Sequence, residues 1–393
     1  MTNNPKRSAG RNILFTLILL FVVFLLVEIL LSVFLYHTRS RESLATVEMA
    51  KRVKLLLKGQ PNPVNLANQN LVRPDSSELI NKKIAEETHE ANKFRYQPWI
   101  EFSNIDYNGS YVNIESSIRK TVPDQYMNLS MADTILVHFF GGSTMFGFNI
   151  SDAETIPSQF VRMYKERYPE GPSLQVVNYA TPTYYSYQEL IQFSTLLFKG
   201  QRPDIVIFLD GVNDFWFANA SYHHQSYFSS VFRQVFDHRG GSASGNAADS
   251  TAMMYVDPAG VEPTFFYNQL LENYFRNIRN ATMMAGMAGV QSFFFCQPVP
   301  FYNYPRQQQD PICFKDTATR FSYIYPRIEK EGASVTNFTF LGNMLQNETG
   351  APFVDGLHYS PGFSRKVAER IFNKVMESGI PKGLIKENIS EKF

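Results

Sequence analysis

Residues 135–147 read ILVHFFGGSTMFG, an apolar run that stops at two glycines and a serine. The run Ile135–Phe140 has the length and content of a core strand. Gly141 and Gly142 let the backbone turn where a Cβ would clash. Ser143 and Thr144 are good N-caps for a helix just beyond, and Glu154–Tyr168 reads as that helix. A strand, a glycine turn and a helix would display Ser143 at the carboxyl edge of a sheet, beside unpaired N–H groups. Two readings of Ser143 follow: a nucleophile, or a capping serine on an ordinary strand-to-helix turn.

Outward from this stretch, strand and helix patterns alternate. LQVVNYA (174–180), PDIVIFLDG (203–211) and VQSFFFCQP (290–298) read as strands. Helices are predicted over Ser186–Phe198, where SYQEL resembles a capped start, over 264–288, and over Ser360–Glu377, which opens on a Ser-Pro pair. The alternation implies an α/β fold of three layers, with a mainly parallel sheet covered on both faces. Between the third strand and the long helix lies an insertion, about 219–262, containing the small polar stretch RGGSASGNAADST. It reads either as a lid or as a tolerated surface loop.

The N-terminus has a different composition. Ile13–Tyr36 is 24 residues long with Glu28 as its only charge, enough to span a bilayer as one transmembrane helix. Lys6, Arg7 and Arg11 precede it, which favours a cytoplasmic tail over residues 1–12 and a signal anchor with the bulk of the chain extracytoplasmic. Glu28 is a candidate contact for a membrane partner. Residues 37–95 are polar and read as a juxtamembrane helix and stalk, and 96–393 as one globular domain. The net charge of +1, without a dense basic run, gives no sign of a nucleic-acid partner. Aromatics make up 15% of the chain, which suits a Phe-rich core and also sugar or lipid surfaces. Cys296 and Cys313 are too few for a disulfide framework and lack zinc spacing. His223, His224 and His238 in the insertion lack further ligands at suitable spacing, so neither a metal nor a cofactor is expected. Eight N-x-S/T sequons occur, one of them at Asn149.

Three further segments bear on Ser143. The second strand ends in NYATPTYYSYQEL, the third in DGVNDFW, and near the C-terminus comes FVDGLHYSPGF, with Asp355 three residues before His358. Strand ends gather on one edge of an open α/β sheet. That edge would unite a serine, main-chain amides, an asparagine, a histidine and an aspartate, the parts of a serine hydrolase.

With these segments in order, the chain resembles the SGNH/GDSL hydrolase superfamily, over about residues 96–380. GGST stands where the better-known form is GDS, followed by the NYATPTYYSYQEL segment, GVND and DGLH. The resemblance implies a flavodoxin-like hydrolase domain in which Ser143 is the nucleophile, His358 its base and Asp355 the group that orients the imidazole. It implies an oxyanion hole made of the Ser143 N–H, the Asn213 side chain and a main-chain N–H in the second block. There Ala180 stands in place of the usual glycine, and it supplies the same main-chain N–H where its φ/ψ is allowed. Phe146, Tyr184, Tyr185 and Trp216 follow the blocks and are expected to line the cleft. The expected chemistry is acyl transfer through an acyl-serine: a serine esterase on a carbohydrate or other envelope ester, an O-acyltransferase for such polymers, or, in another class, a non-catalytic binding module on the same fold.

Overall fold

The computed structural model describes residues 15–16, 18–24, 27, 78–126, 134–216, 263–305 and 319–379. Five parallel strands form the centre: β1 (Thr134–Gly141), β2 (Ser173–Asn178), β3 (Ile205–Asp210), β4 (Gln291–Cys296) and β5 (Phe338–Phe340). They lie side by side in the order 2-1-3-4-5. Phe139 of β1 sits opposite Asn178 of β2 and Ile207 of β3. Beyond β2 the sheet continues in short antiparallel strands, of which Ile118–Arg119 and Gln125–Tyr126 pair with β2 itself.

Each parallel step is made through a helix, because the chain must cross back to the other end of the sheet before the next parallel strand. These are α1 (Ile156–Arg167), α2 (Ser186–Phe198), α3 (Pro263–Ala288) and α4 (Thr319–Gly332), and α5 (Pro361–Glu377) closes the chain of described residues. Thr155 caps α1 by accepting from the Ser158 N–H at 3.3 Å, and Ser360 caps α5 by accepting from the Phe363 N–H at 3.3 Å. The strands are buried on both faces and so carry runs of apolar residues rather than alternation. Val137, Phe139, Ile207, Leu209, Phe293 and Phe295 point into one core with α1 and α5. Phe140, Val206, Phe208, Phe294 and Cys296 point into the other, with α2, α3 and α4. There Phe140, Phe208 and Phe294 stack across three strands, with centroids 4.9 and 5.0 Å apart. Most of the Phe content is therefore accounted for by the core.

The four expected strands and four expected helices are present, with ends shifted by up to two residues at most boundaries. β5 is only three residues long and α4 carries Pro326 in its interior, so neither has a strong sequence signal. A two-stranded hairpin, Phe94–Gln97 with Glu101–Asn104, also stands apart from the expected pattern. The helix Glu78–Ala91, within the expected stalk, is joined to the body by Glu87, whose carboxylate accepts from the N–H groups of Ser110, Tyr111 and Val112 at 3.0, 2.7 and 3.0 Å.

Of the expected span Ile13–Tyr36, only residues 15–16, 18–24 and 27 are described; they are helical and exposed. Among the described residues no helix is long and apolar enough to cross a membrane. The rest of that span, the insertion 219–262 with its histidines, and Cys313 lie outside the described residues. Cys296 is a buried free thiol.

Candidate active site

The order 2-1-3 puts β1 at the point where the strand order reverses, so the carboxyl ends of β1, β2 and β3 open onto one crevice. Ser143 stands there. It does not cap a following helix: it is the first residue of a one-turn helix, Ser143–Phe146, with Gly142 before it and no side-chain cap. Its hydroxyl is thereby left free to face His358. Oγ lies 2.9 Å from His358 Nε2, and His358 Nδ1 lies 2.8 Å from Asp355 Oδ2. All three side chains are buried.

Asp355 is held from several sides. Its Oδ1 accepts from the main-chain N–H groups of Leu357 and His358 at 2.9 and 2.8 Å. Its Oδ2 accepts from Asn149 Nδ2 at 2.7 Å. Burial pushes this carboxyl up, but the facing imidazole and the main-chain N–H groups of His358 and Leu357 outweigh it and hold the group below its usual range. Asp355 is ionised at neutral pH, as an orienter of a charged imidazole needs to be.

Asn213 begins the turn after β3. Its Nδ2 donates to the Tyr184 carbonyl at 2.7 Å, which leaves the second hydrogen of the amide for another acceptor. A Cβ on Gly142 would come within 2.5 Å of that nitrogen and 3.0 Å of the Tyr184 oxygen. Glycine is required at 142 because the Asn213 amide packs against its backbone, next to the nucleophile.

The third expected oxyanion donor requires a correction. The Ala180 N–H donates to Asn178 Oδ1 at 3.1 Å, closing a local turn, so it is spent within its own segment. In the same segment Thr183 holds φ of +71°, a conformation unusual for a β-branched residue.

The expected cleft wall is also corrected. Phe146 is 1% exposed and lies in the core with the Arg119 guanidinium 4.7 Å above its ring. Tyr184 is 1% exposed, stacked edge-on against Phe102, with its hydroxyl donating to the Phe102 carbonyl. Tyr185 is buried as well, and burial pushes its hydroxyl far above the usual range. These rings are the structural backing of the site. The side chain of Trp216 lies outside the described residues. Tyr187, which stacks on Tyr185, and Trp99, at the tip of the hairpin, are exposed aromatics. Gln188 Nε2 donates to the Ile100 carbonyl at 3.1 Å and so binds that tip to the first turn of α2.

Sequence reasoning missed Asn149 and Phe148, whose ring stacks on His358 at 4.6 Å. Their signal is their place in the loop that carries Ser143, Phe148 five and Asn149 six residues after it.

Behind Asn213 lie three buried carboxyls, Glu189, Asp210 and Asp214. Asp214 accepts from the Ser186 N–H at 3.3 Å and from the Ser186 hydroxyl, so Ser186 binds the turn after β3 instead of capping α2. Burial, then the neighbouring acids, holds Glu189 and Asp210 well above the usual carboxylate range. Among the described residues no group of His, Cys, Asp and Glu is placed to hold a metal ion.

The four segments that carry the SGNH/GDSL resemblance thus converge on one crevice. No protein-family model matches the chain, and no curated protein matches it in sequence. Solved structures do match in three dimensions. One is a carbohydrate acetylesterase family member from Sinorhizobium meliloti, at 11% identity, covering 62% of this chain and 98% of that one, with a TM-score of 0.38. A GDSL-like lipase from Bacteroides thetaiotaomicron matches at 15% identity over 62% and 88% of the two chains, with a TM-score of 0.33. A psychrotrophic esterase from Pseudoalteromonas, inhibited by monoethylphosphonate, matches at 10% over 62% and 97%, with a TM-score of 0.34. Likeness at this level carries no inference about activity, which rests on the triad itself.

Proposed function

We propose that the chain is a serine esterase of the SGNH type, acting through an acyl-serine. The observation that carries this is the unbroken relay from Ser143 Oγ through His358 to the ionised Asp355, at 2.9 and 2.8 Å. Ser143 Oγ attacks the ester carbonyl while its proton passes to His358 Nε2. The oxyanion is met by the second hydrogen of the Asn213 amide and by the N–H of Ser143, each such donor being worth about 3 kcal/mol in the transition state. His358 then gives its proton to the departing alkoxide, leaving an acyl-serine and a free alcohol. Water repeats the sequence in reverse: His358 takes its proton, the hydroxide adds to the acyl carbon, and Ser143 leaves with the proton returned.

A glycan ester is the substrate class we favour. Trp99 is 85% exposed and held at φ of +73°, a cost for a bulky residue that an asparagine or glycine would avoid. Together with the half-exposed Tyr187, to whose helix the hairpin tip is bonded through Gln188, it offers flat rings to the apolar face of a sugar. Ile13–Tyr36 supports an anchored enzyme with this domain on the extracytoplasmic side.

The test treats the full chain with a fluorophosphonate, then assays p-nitrophenyl acetate and acetylated oligosaccharides with and without acceptor glycans. Labelling and turnover lost in Ser143→Ala and in His358→Ala are expected. A folded chain without labelling would mean a binding module; transfer to an added glycan in preference to water would make it an O-acyltransferase.

A further inference from the structure

The triad is complete as a relay, yet one buried side chain that takes no part in proton transfer is bonded to it. Asn149 is 4% exposed, and its amide donates to the same Asp355 oxygen that receives His358 Nδ1. Asp355 therefore accepts four hydrogen bonds, two on each oxygen, which saturates the lone pairs of an ionised carboxylate. Two come from its own turn and fix Oδ1. The remaining protein contact that sets the plane of the carboxylate before His358 meets it is Asn149, from a segment 206 residues away. Asn149 holds φ of +63°, a left-handed conformation that asparagine tolerates better than most residues, and this aims its short side chain back at Asp355. Its neighbour Phe148 lies on the face of the His358 ring. One dipeptide in the loop that begins with the nucleophile thus touches both the base and its orienter.

We propose that Asn149 is a positioning residue of the triad, registering Asp355, and through it the imidazole, against the loop that carries Ser143. The proposal rests on the esterase reading of Ser143. Its physical content is that a donor at 149 is needed. Removing it leaves Oδ2 with His358 alone, so the plane of the carboxylate is set only by the two N–H groups on Oδ1 and by the imidazole it is meant to orient. Replacing it by an acid puts a like charge against Asp355, whose other titratable hydrogen-bond partner is His358. The side chain is also too buried, and too engaged, for the sequon at Asn149 to carry a glycan.

The test compares Asn149→Gly with Asn149→Asp in the full chain. Glycine removes the amide while tolerating the positive φ, so backbone strain is not confounded with the lost contact. For p-nitrophenyl acetate at neutral pH, Asn149→Gly is expected to lower kcat by about tenfold to a hundredfold, part of the roughly 10²- to 10⁴-fold that positioned proton transfer supplies. KM should stay close to wild type, while the thermal midpoint falls in both variants because a buried partner of Asp355 is lost; the readout that separates positioning from packing is the pH dependence of kcat. Asn149→Asp should be slower still, and its rate relative to Asn149→Gly should recover as pH falls and one of the paired acids takes a proton. Wild-type kcat in Asn149→Gly would overturn the proposal. So would equal losses in both variants at every pH, which is how a merely structural contact behaves. A wild-type chain that fails to label with fluorophosphonate would instead remove the esterase reading, and this proposal with it.

Discussion

At the scale of single residues, the site depends on one missing methyl group. Gly142 has no Cβ, and the Asn213 amide nitrogen occupies the space next to it. Gly142→Ala would drive the amide away from the nucleophile without touching the triad. We expect kcat to fall by about 10²- to 10³-fold, the cost of one oxyanion donor, with KM little changed; steady-state kinetics on p-nitrophenyl acetate check this. A loss confined to KM would show that the Asn213 amide serves binding alone. Ser143, Asp355, His358 and Asn213 were legible in the sequence because residue type and segment order suffice to name them. Phe146 and Tyr184 were misplaced because an aromatic beside a motif has no sequence mark that tells cleft from core; the facing Arg119 and Phe102 come from strands far away in the chain. Ala180 failed for a local reason, since the residue that takes its N–H lies two positions before it.

At the scale of elements, three pieces meet at one hydroxyl. The Ser186 Oγ donates to Asp214 after β3 and accepts from Asn277 Nδ2 of α3 at 2.9 Å, while its own residue opens α2. Ser186→Ala should therefore cost more than a surface serine would. We expect a loss of about 1–3 kcal/mol, because Asn277 and Asp214 are left short of a partner, read as a lower denaturant midpoint. A change within experimental error would show that water replaces the hydroxyl at no cost. The same position shows why element boundaries read better than element junctions. Ser-x-x-Glu looks like a capping box in sequence, but Glu189 is drawn into the buried acid group and Ser186 into the β3 turn. The long apolar strands and the Ser-Pro start of α5 carried local signals and were found. β5 and α4 carried little of their own, one being three residues long and the other interrupted by Pro326, so they form through packing on β4 and α3.

At the scale of the whole molecule, the buried acids set a trend with pH. In the unfolded chain Glu189 and Asp210 lose their protons near pH 4. In the folded chain burial raises both, so over the window above about pH 4 the native state holds protons that the unfolded state has lost. Stability therefore falls as pH rises through that window. Glu87, Glu348 and Asp355 are lowered and act the other way, their contribution being lost as pH falls below about 4. Glu189→Gln keeps the shape and has no proton to lose. Its thermal midpoint should exceed that of the wild type at pH 8–9, with a flatter dependence between pH 5 and 9. A variant equally destabilised at both ends would refute the assignment of the slope to Glu189.

The positions of the triad along the chain also have a meaning in time. The turns after β1, β2 and β3 are all laid down by residue 216, but His358 lies 215 residues beyond Ser143, just before the last described helix. A ribosome therefore delivers the serine and the Asn213 turn long before it delivers the imidazole. Throughout that interval the growing polypeptide carries a serine without its imidazole, and a transcript cut short anywhere upstream of His358 yields a product that lacks the relay on which the proposed activity rests.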